Sequence, residues 1–176
     1  LRNIIQNSCK GLKVLNLYCY TGAFSVSAAF GGASQTCSID LSKTYLSWLE
    51  RNLELNGFCD NEKHTVIQGD CIKLLENMIL KDNKFDIIIS DPPTFSNSKK
   101  TLHDFSIQND HTRLLSLCEK MLTDKGIIYF STNFRNFKLS ENISQSMKIN
   151  EITYKTIPDD FRNKRIHSCW ELKKPS

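Results

Sequence analysis

"KVLNLYCYTGAFSVSAAFGG", Lys13 to Gly32, reads as a buried strand, a tight turn and a helix in immediate succession. Lys13–Cys19 is a nearly unbroken apolar run of strand length, and Gly22–Phe30 is a helix that stops at Gly31-Gly32. The pattern then repeats along the chain. Thr36–Asp40 is a second strand, and Ser42 caps a helix that runs to Asn56, with Tyr45, Trp48, Leu49 and Leu53 on one face and Gly57 as its stop. "HTVIQ" is a third strand, followed by a helix from Cys71 to Leu80 with Ile72, Leu75, Met78 and Ile79 inward. "FDIIIS", Phe85 to Ser90, is a fourth. A helix from Gln108 to Leu122 and a turn at Asp124-Lys125-Gly126 lead to the fifth, "GIIYFST". The tail reads as a helix near Ser140–Lys148 and strands at "EITYKT" and "SCWELK". Such alternation predicts a doubly wound, mostly parallel α/β sheet of Rossmann-like type, with an antiparallel strand at its C-terminal edge.

Composition bounds the function. The 176 residues suit one domain, residues 1–176, and 40% hydrophobic with 24% charged residues is ordinary for a globular protein. No apolar run reaches membrane-span length and no basic-then-apolar leader is present, so no membrane partner is expected. The first residue is Leu1 and not Met, which reads as a fragment of a longer chain. The seven cysteines are scattered, with no CxxC and no zinc spacing, so reduced thiols, a cytoplasmic location and no metal are expected. Charge is uneven: residues 1–98 carry −1 net and residues 99–176 carry +5, which favours a polyanionic partner for the second half.

The strand ends carry the chemistry. In parallel sheets ligands bind beyond the carboxyl ends of the strands. Here those ends read Cys19-Tyr20-Thr21-Gly22, then Asp40, then Gly69-Asp70-Cys71, then Asp91-Pro92-Pro93. A dinucleotide loop needs G-x-G-x-x-G to close on a pyrophosphate, whereas this loop holds one glycine. A cofactor without phosphate suits it better, and S-adenosylmethionine is such a molecule. Asp40, 18 residues past Gly22, stands where a ribose diol is gripped. Asp70 can accept from the adenine amine, and the first amides of the Gly22 helix can receive a carboxylate.

Asp91-Pro92-Pro93-Thr94-Phe95 ends a strand with residues that cannot continue it. The prolines fix the Asp91 side chain and the Pro92 carbonyl beside the reacting end of the cofactor, and Phe95 is expected to stack on a planar ring. Acid-Pro-Pro-x-aromatic is typical of methyltransferases acting on nitrogen. Cytosine C5 methylation needs a cysteine nucleophile after the fifth strand, where this chain has Ser131-Thr132-Asn133.

"NLYCYTGAFSVSA", "SIDLSKTYLSWLERNLELNG", "VIQGDCIKLL", "FDIIISDPPTFSNSK", "DHTRLL" and "RNKRIHSCW" resemble the C-terminal, RlmK-like domain of the bifunctional bacterial 23S rRNA guanine methyltransferases (RlmKL), from about Leu15 to Trp170. The resemblance implies a class I methyltransferase fold, S-adenosylmethionine, and transfer to guanine N7 in 23S rRNA. It also implies N-terminal methyltransferase and RNA-binding domains elsewhere in the same parent chain. By motif position it assigns Asn16, Tyr18, Thr21, Gly22, Asp40, Leu41, Asp70, Cys71 and Asp91 to the cofactor, and Asp91, Pro92, Pro93 and Phe95 to catalysis. Lys99, Lys100, Arg113, Arg135, Arg162, Lys164 and Arg165 are candidates for RNA phosphates, and Phe134 or Phe137 for base stacking. His111 and His167 read as structural. For guanine N7, the acceptor implied by the resemblance, a free in-plane lone pair means that alignment and exclusion of water suffice without a base. Competing readings are N2-guanine methylation, a nicotinamide oxidoreductase, and a non-catalytic RNA-binding module.

Overall fold

The computed structural model describes residues 1–96, 104–157 and 166–175. Lys99, Lys100, Arg162, Lys164 and Arg165 lie outside the described residues. In chain order the elements are α1 (Arg2–Ser8), β1 (Lys13–Leu17), α2 (Ala23–Phe30), β2 (Gln35–Asp40), α3 (Lys43–Leu55), β3 (His64–Gln68), α4 (Cys71–Ile79) and β4 (Phe85–Ser90). They continue with β5 (Phe95–Ser96), β6 (Phe105–Ser106), α5 (Ile107–Met121), β7 (Leu122–Thr132), α6 (Glu141–Ser146), β8 (Lys148–Glu151), α7 (Thr153–Thr156) and β9 (Ser168–Lys173).

Seven strands form one sheet in the order β3-β2-β1-β4-β7-β9-β8, parallel as far as β7 and antiparallel at β9 and β8. β5 and β6 form a separate two-stranded ladder. The chain builds outward from β1 to β3 and then crosses to β4 on the other side of β1, so the switch point lies between β1 and β4. Alternate residues of the buried strands feed opposite faces. Leu15, Leu17 and Ile88 pack with Leu75 of α4 and Leu114 of α5, whereas Val14, Ile87 and Ile89 pack with Ile5 of α1 and Ala28 of α2.

Several local expectations are corrected. On α3 the buried stripe is Leu46, Leu49 and Leu53, while Tyr45 and Trp48 are 40% and 57% exposed. The leucines at i, i+3 and i+7 fill the inner face, and Tyr45 turns instead against Tyr20, edge to face at 4.5 Å between centroids. "EITYKT" is the last residue of β8 followed by α7, because the Cys169 amide donates to Thr153 Oγ1 and the Ile152 carbonyl accepts from Lys155, which ends the ladder. α1 is an element that composition gave no cue for. β7 begins directly after α5, and its register against β4 shifts between Phe85 and Ile87 to absorb the expected Asp124-Lys125-Gly126 turn.

Candidate cofactor and acceptor site

The sheet register alone aligns the chemistry. Ile39 pairs with Leu17, Leu17 with Ser90, and Ser90 with Phe130. One step further along every strand stand Asp40, Tyr18, Asp91 and Ser131, side by side. Tyr18 and Tyr20 are held at φ 54° and 50°, a left-handed conformation that costs a non-glycine side chain on the order of 1–2 kcal/mol. They bracket Cys19 in a tight turn over the β1 tip, whose end is tied by Gly22 donating to the Cys19 carbonyl at 2.8 Å.

A cavity of about 810 Å³ opens over these tips, within the range of small-molecule sites. Tyr18, Asp40, Leu41, Asp70, Cys71 and Asp91 line it, joined by Pro92 and Pro93. Both Asp40 carboxylate oxygens accept backbone N–H bonds, Oδ2 from Tyr20 at 3.0 Å and Oδ1 from Ser42 at 2.9 Å. The carboxylate is thus fixed in place, with its remaining lone pairs open to a diol. Asp70 caps α4 through Oδ1, which accepts from Lys73 at 3.0 Å. Asp70 lines the cavity together with Cys71 and Ile72, the first residues of α4. Burial pushes the Cys71 thiol well above its ordinary value, so it stays protonated.

The remaining candidates fall elsewhere. Asn16 is buried beneath the site, donating to Ser25 Oγ at 2.8 Å, which in turn bonds Ser38 Oγ at 2.8 Å. That chain ties α2 to β1 and β2. Thr21 and Gly22 do not line this cavity: the Thr21 carbonyl accepts from Asn52, and a Cβ on Gly22 would sit 2.5 Å from Leu49 Cγ. The space at this glycine is filled by a leucine, not left for a phosphate, which removes the basis for a dinucleotide reading. Phe95 is 57% exposed on β5 and does not line the cavity; Phe105 does, its ring 5.8 Å from that of Tyr18. Phe137 is packed among His111, Phe130 and Trp170. His111 is buried and donates from Nδ1 to the Ile107 carbonyl, while Nε2 accepts from Ser140 N–H. Arg113 is engaged by Glu76 at 2.6 Å, and Arg135 is exposed. Among the described residues no group of three His, Cys, Asp or Glu is placed to hold a metal ion.

A second cavity of about 550 Å³ adjoins the first and shares Asp91 and Asn133 with it. Ala23 and Phe24, the first turn of α2, line it with Arg2 of α1. These amides and this guanidinium are the groups able to receive a carboxylate on that side. Arg2 is a site candidate that the sequence reading passed over, since nothing before Lys13 reads as part of the sheet. Asp91 stands between the cavities, accepting from Ser131 Oγ at 2.9 Å. Protein crowding raises its carboxyl above the ordinary range, with the Ser131 bond and the His167 charge opposing the rise. β9 also brings Cys169 opposite Ser131, a cysteine beside the second cavity that the β7 sequence did not reveal. Burial pushes its thiol up to about 12, so it offers no thiolate nucleophile.

The two lobes fit S-adenosylmethionine: strand-tip carboxylates for an adenosine, helix amides and Arg2 for an amino-acid end, and Asp91 at the junction. Asp40→Ala is expected to weaken S-adenosylmethionine binding roughly 10- to 100-fold, the worth of a charged hydrogen bond together with loss of the Tyr20 and Ser42 anchors. Titration calorimetry checks it, and an unchanged Kd would remove Asp40 from the site.

The model of the S-adenosylmethionine-dependent methyltransferase family matches residues 1–150. The chain is 43% identical over 175 residues to the ribosomal RNA large subunit methyltransferase K of Neisseria meningitidis, covering 99% of this chain and 49% of that protein. It is 48% identical over 174 residues to the ribosomal RNA large subunit methyltransferase K/L of Desulfotalea psychrophila, covering 98% of this chain and 24% of that one. The chain therefore spans about half or a quarter of the length of these curated relatives. Among solved structures, SMU.776, described as a methyltransferase and crystallised with SAH, superposes at a TM-score of 0.82 with 29% identity, over 98% of this chain and 48% of the other. Fold, strand-tip acids and family match agree: the chain belongs to the S-adenosylmethionine-dependent methyltransferases.

Proposed function

We propose that this chain methylates guanine N7 in large-subunit ribosomal RNA. The observation that carries it is the Asp91-Pro92-Pro93 tip at the junction of two cavities: the first suits the adenosine end, and the second has its Arg2 and α2 side for the amino-acid end and its Asn133 and His167 side for a planar acceptor. S-adenosylmethionine, when bound, supplies an electrophilic methyl group on a sulfonium. The chain's part is to hold the acceptor nitrogen in line, exclude water and place the Asp91 charge beside the junction. N7 has no proton to lose, and the site offers no thiolate for attack on carbon. The names of the relatives supply the rRNA class, and the basic second half, with exposed Arg135, suits a phosphate backbone. In the longer relatives the rest of the chain has room for the N-terminal methyltransferase and RNA-binding partners, acting in the cytoplasm.

A second reading is transfer to the exocyclic N2, favoured by the raised Asp91 carboxyl, which is a better proton acceptor than an ordinary aspartate. The two are separated by incubating the complete parent protein with unmodified 23S rRNA and S-adenosylmethionine, then identifying nucleosides by mass spectrometry. The expected product lost on Asp91→Ala is 7-methylguanosine. Loss of N2-methylguanosine alone would transfer the assignment to N2.

A further inference from the structure

The antiparallel pair β7·β9 ends with Thr132 opposite Ser168. One register step further, beyond the ladder, Asn133 and His167 stand opposite each other, within reach of a single planar group. Both line the second cavity, and Asn133 also lines the first. Their hydrogen-bond polarity is set by neighbours. Thr94 Oγ1 donates to Asn133 Oδ1 at 3.1 Å, so the acceptor end of Asn133 is engaged and, among the described residues, its Nδ2 donors have no partner. Thr156 Oγ1 gives its one proton to the Thr153 carbonyl at 2.8 Å, so in its 2.7 Å bond to His167 Nε2 it must accept. Nε2 therefore carries the proton, and Nδ1 of the neutral imidazole is a bare acceptor. Burial lowers the His167 pKa, against the opposing pull of Asp91, which favours that neutral form.

A donor beside an acceptor is the complement of a lactam, C=O next to N–H. We propose that Asn133 and His167 read the O6/N1–H edge of the acceptor guanine, Asn133 donating to O6 and His167 Nδ1 accepting from N1–H. This rests on the guanine methylation reading above and deepens it. Along a guanine edge the atoms run N7, O6, N1–H. Along the site Asp91 and Asn133 line both cavities, at their junction, and His167 lines the second alone. With N7 at the junction the donor and acceptor match in order. With N2 there, N1–H would meet the Asn133 donor, a mismatch of two donors. The pair thus excludes adenine by polarity and orients N7 toward the transferred methyl.

The test uses the complete parent protein and a synthetic RNA in which the mapped target guanosine is replaced by 2,6-diaminopurine. That base keeps N7 and the 2-amino group but exchanges the lactam for a bare N1 and a 6-amine. For wild type the replacement is expected to lower kcat/KM roughly 10- to 100-fold, the discrimination of a paired base contact. In His167→Ala and Asn133→Ala the penalty should fall toward unity. Asn133→Asp, equal in size and still able to accept from Thr94, should prefer diaminopurine over guanine. A penalty that stays at its wild-type size in all three variants overturns the proposal, since a purely structural role would lower stability and leave base preference alone. If wild type forms no methylguanosine on the guanosine RNA, the methylation reading itself fails, and this inference falls with it.

Discussion

Asp91→Ala is expected to lower the rate of methyl transfer by about 10²–10³-fold at saturating substrate, the scale of losing a charge placed at the reacting centre. Asp91 sits where the two cavities meet, its position set by β4 behind it, the stiff prolines after it and the Ser131 hydroxyl at 2.9 Å. Asp40 and Asp70 remain to hold the adenosine end, so cofactor affinity should change much less than rate. Single-turnover transfer of a labelled methyl group, beside calorimetric binding of the cofactor, separates the two. A variant that transfers as fast as wild type would remove Asp91 from the reaction. The pH dependence follows from the same environment. Burial raises the Asp91 carboxyl, so its charge is present at high pH and is lost as pH falls through that raised value. Ser131 donates to the charged form and holds the value down. Ser131→Ala should therefore move the acid limb of the activity profile to higher pH.

Gly22→Ala is expected to destabilise the fold by about 3 kcal/mol, combining strain at positive φ with overpacking. Gly22 is at φ 81°, and an added Cβ would meet Leu49 Cγ and Cδ1, both at 2.5 Å. Leu49 is fully buried between α3 and the sheet and has no room to retreat. Gly57 is the internal control: its φ is 80°, yet nothing lies within 4 Å of a Cβ there. Gly57→Ala should cost about 1 kcal/mol, the conformational part alone. Urea denaturation of both variants isolates the steric part as their difference. Equal midpoints would mean that Leu49 yields and that the glycine is present for φ only.

The order of strands and helices was legible because the central strands are apolar runs and helices such as α3 carry their own cap and stop, Ser42 and Gly57. Those signals are local, and the chain spells them directly. Strand-end acids were legible for the same reason: a residue just past a parallel strand must sit at the binding edge. The register that aligns Asp40, Tyr18, Asp91 and Ser131 was not legible, because pairing joins residues as far apart as Leu17 and Ser90, 73 positions along the chain. Nor was the exchange of Phe95 for Phe105 as the aromatic wall, since a two-stranded turn decides which ring faces inward. Gly22 shows the difference most sharply. Sequence alone marks it as a place where a side chain is forbidden; only tertiary packing shows that Leu49 stands where that side chain would go. Arg2, Cys169 and His167 reach the site through α1 and the antiparallel edge, elements whose placement depends on what they pack against. Sequence by itself determined the sheet, its ligand edge and the acids along it. The tertiary structure decided which side chains face one another across that edge, because polarity and reach there are set by neighbours distant in the chain.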